Sequence, residues 1–233
     1  DAAVVVDHPD KITRSRDASE LHLVTQLAPY FDAIEKELII ISPYFVPGYE
    51  GVRFFKSLID KGIRVKILTN SLSSNDVAIV HAGYAKYRAD LLRNGVELYE
   101  MNKKLTRAQR KDKKGVGGSS KASLHAKVFV LDRKQVFIGS LNLDPRSFYE
   151  NSEIGLILNS TEIAGNMAKK FDRDIEKHMF TLELKKDEDG HEELLWHGYE
   201  DGNPVTFDVD PYTGFWRRFG VDFLSILPIE SQL

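Results

Sequence analysis

Between residues 38 and 99 short apolar runs alternate with amphipathic stretches, and that alternation limits the folds open to this chain. Leu38 to Ile41 is a continuous apolar run, as expected of a strand buried on both faces. Val52 to Lys61 places Phe54, Phe55, Leu58 and Ile59 at helical spacing and is closed by Gly62. Ile63 to Leu68 reads as a second strand. Asp76 then offers a cap for a long helix over 77–93, closed by Gly95, and Val96 to Tyr99 gives a third strand. Strand, helix, strand, helix, strand at these spacings predicts an α/β fold, a mixed, largely parallel sheet flanked by helices. Ligands in such sheets sit beyond the carboxyl ends of the strands, where the loops Ser42–Gly48 and Asn70–Asp76 fall.

The flanking segments are less regular. Residues 1–18 are polar and read as an inter-domain linker. Leu21, Leu23, Val24, Leu27, Phe31 and Ile34 predict a helix that Pro29 should kink or divide. Beyond residue 180, Leu182 to Leu184, Leu194 to Tyr199 and Val205 to Val209 are separated by Asp189-Gly190 and Asp201-Gly202, which suggests a small antiparallel addition. A cluster of Phe215, Trp216, Phe219, Val221, Phe223, Leu224, Ile226 and Leu227 follows. Such a cluster is more often core than a membrane-surface helix. The expected division is a linker to residue 18, a catalytic unit over 19–180 and an addition over 181–233.

The chemistry concentrates between residues 125 and 153. His125, Lys127, Asp132, Gly139, Ser140 and Asn142 form H-x-K-x4-D-x6-G-S-x-N inside a predicted hairpin over 124–139 that turns at Arg133-Lys134. Residues two apart on a strand share a face, so His125 and Lys127 project together. An imidazole beside a fixed cation suits chemistry on a phosphate, which needs positioning and charge stabilisation. Asn142 and Ser140 add neutral donors. Asp132 reads as a carboxylate paired with a cation to fix the hairpin.

Composition removes several alternatives. The 233 residues contain no cysteine, which excludes disulfides, thiolate metal sites and a cysteine nucleophile. The residues suggest no convincing metal cluster and no cofactor. No apolar run approaches the roughly 20 residues that span a bilayer. Net charge is −3, so attraction to an anionic partner has to be local. The stretch 103–121 offers this, with Lys103, Lys104, Arg107, Arg110, Lys111, Lys113, Lys114 and Lys121 against Asp112. It is either a solvated charge run or a device for capturing anionic head groups.

The 125–142 pattern resembles the phospholipase D superfamily, and Glu153 stands where that family carries an acid that orients the histidine. Ser42-Pro43-Tyr44-Phe45-Val46-Pro47, Thr69-Asn70-Ser71-Leu72, Val80-His81-Ala82-Gly83-Tyr84 and Asn142 to Ser147 look like the C-terminal half of bacterial cardiolipin synthases. The resemblance implies an αβα sandwich and a two-step phosphodiester exchange through a phosphohistidine. The catalytic residues it implies are His125, Lys127, Asp132, Asn142 and Glu153. Ser140, Tyr44, Asn70, Ser71, His81 and Arg146 are candidates for substrate contact. His81 also reads as a packed histidine, and Arg146 either binds phosphate or pairs with Asp144. Phospholipids such as phosphatidylglycerol are the implied substrates, at the cytoplasmic face of a bacterial inner membrane.

One departure matters for mechanism. The family uses two copies of the motif, and this sequence contains one. The opening at Asp1, without an initiator methionine, suggests a cut through a longer chain. A missing N-terminal half or a second copy of the chain is therefore the expected partner, and the isolated chain is expected to be nearly inactive. Phospholipase D-type hydrolysis and a homodimeric nuclease are the alternatives. The negative net charge and the lipid-type loops argue against nucleic acid as a partner.

Overall fold

The computed structural model describes residues 1–14, 18–104 and 123–226, with the Glu176 side chain left aside. Among these, ten strands form one mixed sheet in the order β1-β7-β6-β5-β2-β3-β4-β8-β9-β10. Its centre is β2 (Glu37–Ile41), β3 (Arg64–Thr69) and β4 (Glu97–Met101), and these three are parallel. Every other pairing is antiparallel. On one side lie β5 (Val128–Leu131), β6 (Gln135–Gly139), β7 (Ile154–Asn159) and β1 (Ala2–Val6). On the other lie β8 (Met179–Lys186), β9 (Glu192–Glu200) and β10 (Asn203–Phe207).

Alternation along the central strands feeds two helical layers. Leu38, Ile40, Val65, Ile67 and Phe129 face α1 (Leu23–Asp32), α2 (Gly48–Asp60) and α4 (Arg88–Arg93). Ile39, Leu68, Val128, Val130 and Val136 face Ala164, Ala168 and Phe171 of α6 (Thr161–His178). The remaining described α-helices are α3 (Ala78–Ala85), α5 (Pro145–Tyr149) and α7 (Phe215–Ile226). No described helix is long and apolar enough to cross a membrane.

Several local expectations are corrected. The stretch read as irregular linker contributes β1, paired antiparallel with β7 from Ala2↔Leu158 to Val6↔Ile154. Helix α1 continues through Pro29 undivided, held by the buried Leu23 and Leu27. The long helix expected over 77–93 breaks at Lys86–Tyr87, where Tyr84, Tyr87 and Arg88 all turn inward. Asp76 does not cap it: the N-cap position is Val77, without a side-chain cap bond, and Asn75 Oδ1 accepts the Val77 N–H at 2.9 Å in the turn before the helix. The C-terminal strands extend the main sheet through β4 and β8. Of the C-terminal cluster, Phe215, Trp216, Phe219, Phe223 and Ile226 are exposed rather than core, with Trp216 79% and Ile226 81% accessible, whereas Val221 is buried and Leu224 packs beside it; Leu227 lies outside the described residues.

Candidate active site

Strand direction assembles the site. Because β5 runs antiparallel to β2, its entry at residues 123–127 lies at the same sheet edge as Ser42 at the exit of β2. The exit of β6 and the entry of β7 reach that edge too. The edge therefore gathers the 42–48 and 70–76 loops, His125, Lys127, the segment 139–147 and Glu153. This is where an α/β sheet places ligands.

His125 and Lys127 lie just before β5 and outside it, whereas the sequence pattern predicts them on the strand. The peptide just before them is clamped: Asn70 Oδ1 accepts the Leu124 N–H at 2.9 Å, and Asn70 Nδ2 donates to the Leu124 carbonyl at 3.3 Å. Gly139 N–H donates to the Lys127 carbonyl at 3.2 Å and fixes its far side. The His125 imidazole is exposed and has no hydrogen-bond partner among the described residues. The Lys127 ammonium is half-buried. Burial lowers its pKa, and the carboxylates of Glu153 and Asp144 oppose that effect.

The G-S-x-N segment is held tightly. Gly139 pairs with Gly155, and a Cβ on Gly139 would stand 2.5 Å from the Ile154 carbonyl oxygen and 2.7 Å from the Phe137 ring, so the position requires glycine. Ser140 Oγ donates to Glu153 Oε2 and accepts the Ile154 N–H at 3.0 Å. Its hydroxyl thus links the exit of β6 to the entry of β7. Asn142 is buried, and its Oδ1 has no partner among the described residues. A buried amide with an unused pole is what a bound ligand would complete.

The other candidates are distributed unevenly. The Glu153 carboxylate bonds Ser140 and Asn151, not His125, because Ser140 faces it across the β6–β7 pair. Asp132 lies at the opposite end of β5, about 20 Å from His125 by strand rise. Among the described residues its carboxylate pairs with no cation and instead accepts the N–H groups of Glu35, Lys36 and Glu37 at 2.8–2.9 Å. Its neighbour Arg133 makes the ion pairs, to Glu37 and Asp172. The turn lies at Asp132-Arg133, with φ of 52° and 56°.

Among the loop residues, Tyr44 donates to Asp76 at 3.0 Å. Ser71 is fully buried and donates to the Met101 carbonyl at 2.8 Å. His81 is also fully buried, 2.6 Å from Arg88 and 3.5 Å from Asp210. Arg146 is exposed on α5 beside the site, and Asp144 caps that helix by accepting the Ser147 N–H at 2.8 Å. Beyond Lys104, the basic stretch lies outside the described residues.

Two supports carry no legible sequence signal. Asp7 and Lys11, in the stretch read as linker, form a buried 2.6 Å ion pair. Asp7 also accepts the Glu153 N–H at 2.8 Å, and Lys11 donates to the Ser147 carbonyl at 3.0 Å. They brace both acids that face Lys127. Behind Asn142, Leu141, Leu143 and Pro145 help line an apolar groove of about 660 Å³ between α1 and α2.

Comparison with known proteins identifies the family and the fold. Residues 28–175 match the family model "Cardiolipin synthase, PLD-like domain". The chain is 42% identical to cardiolipin synthase C of Escherichia coli over 83% of this chain and 40% of that protein. It is 32% identical to an uncharacterized protein of Helicobacter pylori over 84% of this chain and 37% of that one. The chain thus spans about two fifths of these relatives. Phosphatidylserine synthase of Haemophilus influenzae shares the fold at TM-score 0.56 and 16% identity, over 78% of this chain and 40% of that one. Nuc of Salmonella typhimurium does so at TM-score 0.52 and 16% identity, over 74% and 93%. With the family model covering more than half its length, this chain belongs to the phospholipase D superfamily, in its cardiolipin synthase, PLD-like domain family.

Proposed function

We propose that this chain supplies one half of a phosphatidyltransferase centre acting on phospholipids, with cardiolipin synthesis as the reaction. The observation that carries the reading is the meeting of His125, Lys127 and Asn142 at one sheet edge, with Glu153 and Asp144 around the lysine. One motif histidine attacks phosphorus, forming a P–N bond as the bond to the leaving alkoxide breaks. The second motif histidine gives that oxygen its proton. An acceptor alcohol, deprotonated by the same second histidine, then takes the phosphatidyl group and frees the first. Lys127 balances charge on the nonbridging oxygens, and the Asn142 Nδ2 group donates a hydrogen bond to one of them. His125 takes the acid and base role in this scheme.

A second copy of the motif, from another segment or another copy of the chain, has to complete the centre. The apolar groove behind Asn142 favours an acyl-bearing substrate over nucleic acid. The test supplies phosphatidylglycerol, phosphatidylethanolamine and a plasmid to the protein bearing both motif copies and resolves the products. Cardiolipin formation that is lost in His125→Ala supports the reading. DNA cleavage without lipid turnover overturns it, and so does efficient transfer by a demonstrated monomer of this chain. Water as the acceptor would give phospholipase D-type hydrolysis at the same site.

A further inference from the structure

Asp7 and Lys11 carry buried charges far from the motif in sequence. Asp7 follows β1 directly, and Lys11 sits in the short 3-10 turn Pro9–Ile12. Their side chains are 0% and 1% exposed and meet at 2.6 Å. Asp7 grips Glu153 by both its N–H and its carbonyl. The Asp7 N–H donates to the Glu153 carbonyl at 2.9 Å, and Asp7 Oδ2 accepts the Glu153 N–H at 2.8 Å. Asp7 Oδ1 accepts the Leu23 N–H at 2.5 Å, which ties the same carboxylate to the start of α1. Lys11 reaches the other way and donates to the Ser147 carbonyl at 3.0 Å, inside the helix that Asp144 caps.

Stability alone is a poor account of such a pair. The cost of taking two charges out of water roughly offsets their attraction, and apolar replacements of similar volume are often neutral. The pair supplies geometry instead. Glu153 and Asp144 are both buried, and their carboxylates support the charge of the half-buried Lys127 against the effect of burial. Each acid stands on one arm of the pair, Glu153 on Asp7 and Asp144 on Lys11. Asn142 lies on the segment between Ser140, which bonds Glu153, and Asp144. Moving either arm therefore moves the groups that surround the phosphate position.

We propose that Asp7 and Lys11 are positioning residues for the transfer, holding Glu153 and α5 so that Lys127 and Asn142 meet the nonbridging oxygens together. The proposal rests on the phospholipid reading above and extends its site to the segment that precedes α1. Both residues act through the backbone they hold, without touching substrate.

The test combines Asp7→Asn with Lys11→Met in the protein bearing both motif copies. The double change removes one negative and one positive charge, so a response at Lys127 reports moved acids rather than altered net charge. For transfer from phosphatidylglycerol, kcat should fall about 10- to 100-fold with KM nearly unchanged, as expected when groups that act in the transition state are displaced. NMR titration of the Lys127 side-chain nitrogen should give a lower pKa, because the acids that raise it have loosened. Lys11→Met alone keeps Asp7 with its backbone partners, should show both effects more weakly, and carries the test where the double variant does not fold. A folded variant that keeps the parent's Lys127 pKa overturns the proposal, and so does one that keeps the parent's kcat. Unfolding of both variants overturns it too, since the pair would then serve stability. If the parent turns over no phospholipid, the catalytic reading falls, and the Lys127 titration alone decides the positioning.

Discussion

Asn70 grips the Leu124 peptide by both poles, accepting its N–H at 2.9 Å and donating to its carbonyl at 3.3 Å. The same amide reaches the Pro43 carbonyl at 3.2 Å, so one side chain ties the exits of β2 and β3 to the residue before His125. Asn70→Ala should release the Leu124 amide and raise its hydrogen-exchange rate by at least about ten-fold, with a stability loss of about 1–3 kcal/mol. Asn70→Asp keeps the acceptor and should preserve Leu124 protection while weakening the links to Pro43. Unchanged protection in the alanine variant would show that Asn70 is not the brace.

Asp132 is a brace at the far end of the same strand. Its carboxylate holds three consecutive backbone N–H groups at the entry to β2, and Asp132→Ala should cost about 2–3 kcal/mol without moving the His125 resonances. Burial raises its pKa, but bonds from Glu37, Glu35 and Lys36 outweigh that and leave it below 3.8. A depressed carboxylate contributes stability above its unfolded pKa and loses it as pH falls through the folded value. Melting temperatures between pH 2 and 6 should therefore show a shallower acid limb in Asp132→Asn. An acid limb of wild-type steepness would refute this role.

These two residues mark what the sequence could and could not reveal. Apolar runs and glycine caps located β2, β3, β4 and α2, because burial on both faces leaves a compositional trace. The H-x-K and G-S-x-N spacing singled out His125, Lys127 and Asn142, which the fold brings to one sheet edge. Partners set by tertiary register left no such trace. Glu153 meets Ser140 only because Gly139 opposes Gly155, and Asp7 reaches Glu153 only because β1 pairs with β7. Periodicity likewise makes α7 amphipathic, while whether its apolar face is buried depends on what packs there.

Lys127 offers a direct test of the site's electrostatics. Burial lowers its pKa, while Glu153 and Asp144 raise it. Removing either carboxylate charge should depress it further. Glu153→Gln keeps an acceptor for Ser140, so the change should be electrostatic rather than structural. Titration of the Lys127 side-chain nitrogen by NMR should show a lower pKa in Glu153→Gln and in Asp144→Asn. A pKa that rises or stays fixed in both variants would place the two acids away from the lysine.

Behind the site, His81 and Glu100 are buried around Arg88 and respond to pH in opposite senses. Burial, with the Arg88 charge, pushes His81 down to about 4, so it is neutral where an unfolded histidine is charged. The unfolded chain then binds more protons between pH 4 and 6.5, and this group makes stability rise with pH. Burial pushes Glu100 up to about 7 against the pull of Arg88, 3.0 Å away. The folded chain holds that proton between pH 4.5 and 7, and this group makes stability fall with pH. Over pH 4.5–6.5 the two slopes oppose, and the cluster's net contribution should be nearly flat. Glu100→Gln retains an acceptor for the Trp196 indole N–H and leaves His81 to act alone. Its melting temperature should climb with pH across that window, by roughly 5 °C relative to the parent profile. His81→Asn should show the reverse trend. Parallel profiles for the parent and both variants would mean that neither group titrates with folding.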